Sequence, residues 1–186
     1  MRLISGSAGG IPLDVPKNVT RPTQDRVKQA IFNMIGELVE SARVLDVFSG
    51  SGALGLECLS RGATSALLVE QDRGACDVIR KNITKTRLEG AAVRQGDAFK
   101  VLPQLVQGGG QFDLVFADPP YASKPGEVDL SLKLAQDENL HALMAPGASL
   151  ILECRATRNV PTDWGPWEMV RDREYGSTRI LWLRKN

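Results

Sequence analysis

The stretch Ala42-Arg43-Val44-Leu45-Asp46-Val47-Phe48-Ser49-Gly50-Ser51-Gly52-Ala53-Leu54-Gly55 decides the fold. Residues 42–48 form an apolar, β-like run, and the glycine turn after them opens a helix over residues 53–61. Gly50 and Gly52 let the backbone turn tightly and approach a ligand at the exit from Phe48, and Gly55 allows close helix–strand contact. Glu70, twenty residues after Gly50, ends a second apolar strand over residues 65–70. A lone Gly-x-Gly is a weak signal. A strand–turn–helix with a carboxylate at that offset is a strong one, because the carboxylate is placed to accept hydrogen bonds from ribose hydroxyls.

Outward from this segment, strands and helices alternate. A helix over residues 72–86 leads to a short strand at 92–95, a helix at 98–106 and the apolar strand 112–117. A helix at 128–143 then precedes the strand 148–154, and the tail holds strands at 167–174 and 178–183 around Tyr175-Gly176-Ser177. Upstream, residues 1–22 are rich in Gly, Pro and Ser, as expected of a short hairpin or extended arm. Thr23 is placed to cap a helix over residues 24–39, where Val27, Ala30, Ile31, Met34, Ile35 and Leu38 recur at helical spacing. This alternation predicts an α/β fold: a doubly wound, mostly parallel seven-stranded Rossmann-like sheet with an antiparallel C-terminal hairpin. Residues 1–22 would be an N-terminal extension and residues 23–186 one domain. Ligands of such sheets sit beyond the carboxyl ends of the strands.

The chain has 186 residues, enough for one substantial core. It has no run of apolar residues long enough to span a bilayer, and its start lacks the features of a signal peptide. Cys58, Cys76 and Cys154 are too far apart for a zinc pattern and odd in number, which predicts buried thiols, no metal and a cytoplasmic location. Charge is unevenly spread. Residues 1–28 carry five basic and two acidic side chains, residues 155–186 seven and four, and the remainder eleven and sixteen. Two basic ends around an acidic centre suit a protein that meets a polyanion and binds something cationic.

The acidic residues also separate two cofactor classes. A dinucleotide places its pyrophosphate at the helix N-terminus, where Asp46 beneath the loop would repel it. S-adenosylmethionine carries a sulfonium and an ammonium instead, and an acidic strand end attracts both. Asp97, in Gly96-Asp97-Ala98 after the third strand, can accept a hydrogen bond from an adenine amino group, or simply cap the next helix. Asp46, Glu70 and Asp97 together favour the sulfonium cofactor.

The fourth strand ends in Asp118-Pro119-Pro120-Tyr121. In a doubly wound sheet this strand lies beside the first, so Asp118 should emerge next to the glycine loop. Two prolines remove two backbone donors and leave carbonyls, an acceptor-only patch that suits an amine with two N–H bonds. An exocyclic nucleobase nitrogen is such an amine. It is a poor nucleophile whose lone pair could be aimed in line by Asp118 and the Pro119 carbonyl, with Asp118 stabilising the charge that develops. Tyr121 offers a ring on which an extruded base can stack.

Both motifs occur in amino methyltransferases acting on DNA, RNA and protein. Arg21-Pro22-Thr23-Gln24-Asp25-Arg26-Val27, followed by Ala30-Ile31-Phe32-Asn33, together with Arg2-Leu3-Ile4-Ser5-Gly6 and Tyr175-Gly176, resembles the RsmD family. Those enzymes methylate N2 of one guanine in bacterial 16S ribosomal RNA. The resemblance implies cofactor contacts at Asp46, Phe48, Gly50, Gly52, Gly55, Glu70, Asp97 and Ala98, with Arg21 and Thr23 closing over the methionyl end. It also implies that Asp118–Tyr121 hold the guanine, in a monomer acting on 16S RNA or the assembled small subunit. The family often has basic residues in the N-terminal hairpin, where this chain reads Ser7-Ala8-Gly9-Gly10-Ile11. RNA contact is therefore expected from Arg2, Lys17, Arg26, Lys28 and Lys124. Alternatives are an adenine-N6 methyltransferase, which lacks a DNA-reading module here, a cofactor-binding regulator, and a nicotinamide oxidoreductase, which conflicts with Asp46. His141 is expected to be a surface or core residue rather than a catalytic one, and Trp164, Trp167 and Trp182 packing residues of the tail sheet.

Overall fold

A computed structural model describes residues 1–17, 25–122, 126–156 and 163–186. Seven strands form a sheet in the order β3-β2-β1-β4-β5-β7-β6, the mostly parallel, doubly wound arrangement that the alternation of elements predicts. The chain divides into two compact units, Met1–Ala98 and Phe99–Asn186.

In the first unit, α1 (Asp25–Ile35) leads through a 3-10 turn (Gly36–Val39) to β1 (Arg43–Val47). Gly36 takes a positive φ of 52°, which ends the α-helix earlier than the apolar spacing alone predicts. The parallel strands β1, β2 (Ser65–Glu70) and β3 (Ala91–Gln95) follow, with α2 (Ala53–Ser60) and α3 (Arg73–Thr86) as crossovers. Val44, Leu45, Val47, Leu68 and Val69 are at most 1% exposed, and each contributes roughly 1.5–3 kcal/mol by leaving water.

Every residue of α2 is buried. One side packs on β1 and β2, and the N-terminal arm covers another. The arm is a hairpin joined at Arg2 and Pro12. Ser7 donates its amide to the Ser60 carbonyl at 2.7 Å, and Ala8 donates to Ser60 Oγ at 2.9 Å, so the arm satisfies acceptors at the end of α2. A Cβ on Gly6 would lie 1.7 Å from the Ser60 oxygen, so only glycine allows this approach. Glu57 of α2 anchors the same arm by accepting from the amides of Ile4 (2.7 Å) and Ser5 (3.0 Å).

The second unit holds α4 (Ala98–Gln107, whose first residue closes the first unit), β4 (Phe112–Ala117) and β5 (Met144–Arg155), and these two strands are parallel. Its tail strands β6 (Trp167–Tyr175) and β7 (Thr178–Lys185) are antiparallel, with β7 between β5 and β6. Two differences from the sequence expectation appear. The helix expected over residues 128–143 is two, α5 (Leu130–Ala135) and α6 (Glu138–Leu143). Asp129 and Asp137 each turn a carboxylate onto the next amides, and Asp137 starts a new helix where the apolar pattern runs on. Strand β5 begins at Met144, because Pro146-Gly147 forms an irregularity within the strand rather than a break before it.

The tryptophans pack as expected. Trp164 and Trp182 are buried, Trp182 donates to Ser149 Oγ at 2.9 Å, and Trp167 donates to the Ala135 carbonyl at 2.7 Å beside the His141 ring. All three cysteines are buried and free. Among the described residues no helix is long and apolar enough to cross a membrane, and no group of His, Cys, Asp and Glu is placed to hold a metal ion.

Candidate active site

The loop between β1 and α2 is held by three backbone positions with positive φ, Phe48 (63°), Gly50 (56°) and Gly52 (77°). For a phenylalanine this conformation is costly, and such strain persists where surrounding bonds over-determine it. Those bonds are present. Ser49 donates its amide to Val69 O at 3.1 Å and its hydroxyl to Asp46 O at 2.6 Å, while Gly52 donates to Ser49 O at 2.7 Å. Buried Asn82 donates to Ser51 O at 2.9 Å and exchanges hydrogen bonds with the backbone of Asp14, tying loop and arm to α3.

Gly52 faces inward. A Cβ there would stand 2.9 Å from Leu68 Cδ2 and 3.2 Å from Ile79 Cγ2, so close packing on the core, together with its φ, requires glycine. Gly55 approaches β1 closely, as its spacing predicts: its amide donates to Asp46 Oδ2 at 2.9 Å. Asp46 is 2% exposed, and burial pushes its carboxyl up to about 7, opposed by the Gly55 hydrogen bond and aided by repulsion from Glu70. Asp46 therefore pins the first turn of α2 to β1, and it holds an amide that a pyrophosphate at this helix end would otherwise seek.

Glu70 is half-buried at the end of β2, and both its oxygens are oriented. Oε2 accepts from the Gly50 amide and Oε1 from the Asp72 amide, each at 2.9 Å. Each oxygen keeps a further lone pair. The carboxylate is thus locked against the loop with capacity for two more donors, such as vicinal ribose hydroxyls. Asp72 also caps α3 by accepting from Ala75 at 2.7 Å. Asp97 stands half-buried after β3, followed by buried Ala98. Glu70 thus fits a ribose-bearing ligand, whereas Asp46, buried and with its carboxyl pushed up by desolvation, acts on the loop and is not the full negative charge facing a cationic ligand that the sequence suggests.

In the second unit, Asp118 is half-buried, Pro119 buried, Pro120 exposed and Tyr121 half-buried. The Tyr121 hydroxyl donates to Glu153 Oε1 at 2.9 Å and lies 3.3 Å from Thr178 Oγ1. Burial and the Glu153 charge raise the phenol well above its ordinary range, so it is a neutral donor at physiological pH. Its hydroxyl is consequently tied to side chains of β5 and β7. Sequence reasoning identified Tyr121 but missed Glu153 and Thr178, which lie on strands distant in sequence and carry no local signature.

Among the residues expected to meet RNA, Arg2, Lys17 and Arg26 are exposed. Arg2 lies 3.9 Å from Asp25. Lys28 is a correction: its side chain is 0% exposed, paired with Glu57 Oε2 at 3.2 Å and donating to the Arg2 carbonyl. Burial lowers its pKa, partly offset by Glu57. It lies at a buried position of an amphipathic helix and takes no part in a surface. Arg21, Thr23 and Lys124 lie outside the described residues.

Residues 1–184 match the family described as Conserved hypothetical protein 95. The chain is 34% identical to Ribosomal RNA small subunit methyltransferase D of Escherichia coli, covering 95% of this chain and 85% of that one. It is 35% identical to Putative rRNA methyltransferase YlbH of Bacillus subtilis, over 100% and 99% of the two chains. The solved structure of putative methyltransferase yhhF from Escherichia coli superposes with a TM-score of 0.81 at 31% identity, over 100% and 98%. The chain therefore belongs to the Conserved hypothetical protein 95 family, the RsmD-type methyltransferases.

Proposed function

We propose that this protein transfers a methyl group from S-adenosylmethionine to the exocyclic N2 of a guanine in 16S ribosomal RNA. The observation that carries the donor class is the β1–α2 loop. Its Glu70 carboxylate is held ready by two amides, and its Asp46 holds the Gly55 amide. A nicotinamide dinucleotide is disfavoured by the same arrangement. The substrate class rests on the relatives named for small-subunit ribosomal RNA, which match over nearly the whole chain.

When bound, the donor supplies a methyl group made electrophilic by its sulfonium. Everything else falls to the chain. Glu70 takes the ribose hydroxyls, Asp97 the adenine amino group, and the strained turn at Phe48–Gly52 lets the backbone approach the ligand closely. Asp118 and the Pro119 carbonyl accept the two N–H bonds of the guanine amine, which aims its lone pair for in-line attack. Asp118 also stabilises the positive charge that develops on nitrogen as the new N–C bond replaces the methyl–sulfur bond, until the surplus proton passes to water. Tyr121, held by Glu153 and Thr178, presents its ring to the extruded base. Contact with the RNA backbone by Arg2, Lys17 and Arg26, and action as a monomer in the cytoplasm, complete the reading. Nucleoside mass spectrometry of 16S RNA from a strain lacking the protein tests it. Loss of one N2-methylguanosine is expected, whereas loss of N6-methyladenosine instead would transfer the activity to adenine.

A further inference from the structure

The segment Arg171-Asp172-Arg173-Glu174-Tyr175 is electrically neutral in sequence, but strand geometry sorts its charges. Residues opposite each other in an antiparallel pair share a face, and neighbours along a strand alternate faces. The register Arg171↔Trp182, Arg173↔Ile180 and Tyr175↔Thr178 puts both arginines and Tyr175 on one face of β6. Asp172↔Leu181 and Glu174↔Arg179 put the acids on the other, where Asp172 pairs with Arg179 at 2.7 Å from Nε. Across β7, the pairs Glu153↔Ile180 and Arg155↔Thr178 add Arg155 and Glu153 to the arginine face.

A register shift sets this outcome. Met169 pairs with Leu183 and Arg171 with Trp182, so a bulge between them moves the arginines to the Glu153–Thr178 face. Without it, Asp172 and Glu174 would lie there instead. Arg155, Arg171 and Arg173 are exposed, and among the described residues none has a carboxylate partner. The acids on the same face are engaged: Glu153 with Tyr121, and Glu168 with Arg184 at 3.8 Å. On strand spacing, Arg171 and Arg173 originate about 7 Å apart, and Arg155 lies about 10 Å across β7 from Tyr175.

Ile151, Ile180 and Trp182 on this face are buried, so we propose that its exposed part, from Arg155 across Thr178 to Tyr175, Arg173 and Arg171 on β6, is the track along which the RNA backbone runs on from Tyr121. Arg155, Arg171 and Arg173 neutralise phosphates flanking the target nucleotide, and Tyr175 offers a stacking surface beside them. The proposal rests on the RNA-methylating activity. It continues directly from Glu153 and Thr178, the two residues that hold Tyr121.

The test compares the full-length double variant Arg171→Ala/Arg173→Ala with Arg80→Ala/Lys81→Ala, an equal charge loss on α3. KM for 16S RNA or small subunits should rise about tenfold or more only in the first, with kcat and S-adenosylhomocysteine affinity at wild-type values. Its dependence of log affinity on log salt should become shallower by about 1.4, at roughly 0.7 per single-strand phosphate contact. An unchanged KM and salt slope, with wild-type protein active on the RNA, would overturn the track alone. An equal effect in the α3 pair would also overturn it. Wild-type protein inactive on RNA would overturn the activity and the track together.

Discussion

Replacing Asp46 by Asn tests whether burial governs the base of the glycine loop. The carboxyl is 2% exposed and is pushed from its ordinary value of 3.8 to about 7. The folded protein thus holds a proton that the unfolded chain releases above pH 4. Stability carried by the neutral form is fully present below pH 3.8, falls as pH rises, and levels off above 7. A displacement of about three units, at about 1.4 kcal/mol each, makes the total loss about 4 kcal/mol. Asn keeps a carbonyl to accept from Gly55 and cannot ionise. Urea unfolding of both proteins at pH 5, 6, 7 and 8 isolates the site, because all other titrations cancel in the difference. The advantage of Asp46→Asn over wild type should grow by about 1.4 kcal/mol per pH unit up to 7 and then stay constant. A difference that is flat from pH 5 to 8 refutes the reasoning, since it means Asp46 ionises as it would in water.

Two further outcomes follow from the buried bonds. Glu57→Ala strands the fully buried Lys28 and removes the acceptor for Ile4 and Ser5, so unfolding should become easier by about 3–5 kcal/mol; amide exchange at Ile4 and Ser5 should accelerate at the same time, and protection there equal to wild type would contradict the anchoring role. Tyr121→Phe keeps the ring but cuts its tether to Glu153, so single-turnover methyl transfer should slow about tenfold, about 1.4 kcal/mol of barrier, while calorimetry finds S-adenosylhomocysteine binding unchanged.

The fold was legible because its signals are local and periodic. β2 and β4 begin and end where their apolar runs do, and the glycine turn with Glu70 announces strand, loop and helix in one stretch. Features set by tertiary contact were not legible. Lys28 resembles a surface cation in a basic segment, yet its position on the inner side of α1 and the carboxylate of Glu57, 29 residues away, make it a buried strut. The spacing Val27, Ile31, Ile35 already points inward, and Lys28 is adjacent to that stripe, which was the available clue. Likewise, the tight turn at Gly52 was legible, but the pressure of Leu68 and Ile79 on it from the core was not. The sorting of Arg171 and Arg173 from Asp172 and Glu174 depends on a bulge whose position no composition reveals.

Asp118 tests the central claim most directly, because its side chain both accepts an amine hydrogen and stabilises the charge that develops on nitrogen. Single-turnover transfer of labelled methyl from S-adenosylmethionine to 16S RNA or small subunits would be measured for wild type, Asp118→Ala and Asp118→Asn, with the product identified by mass spectrometry. The account predicts N2-methylguanosine from wild type and a rate lower by on the order of 100-fold or more in Asp118→Ala, with cofactor affinity nearly intact. Asp118→Asn should retain more activity than alanine if acceptance of the amine hydrogen dominates, and fall as far if charge stabilisation does. Transfer by Asp118→Ala at the wild-type rate, or N6-methyladenosine as the wild-type product, would contradict the account.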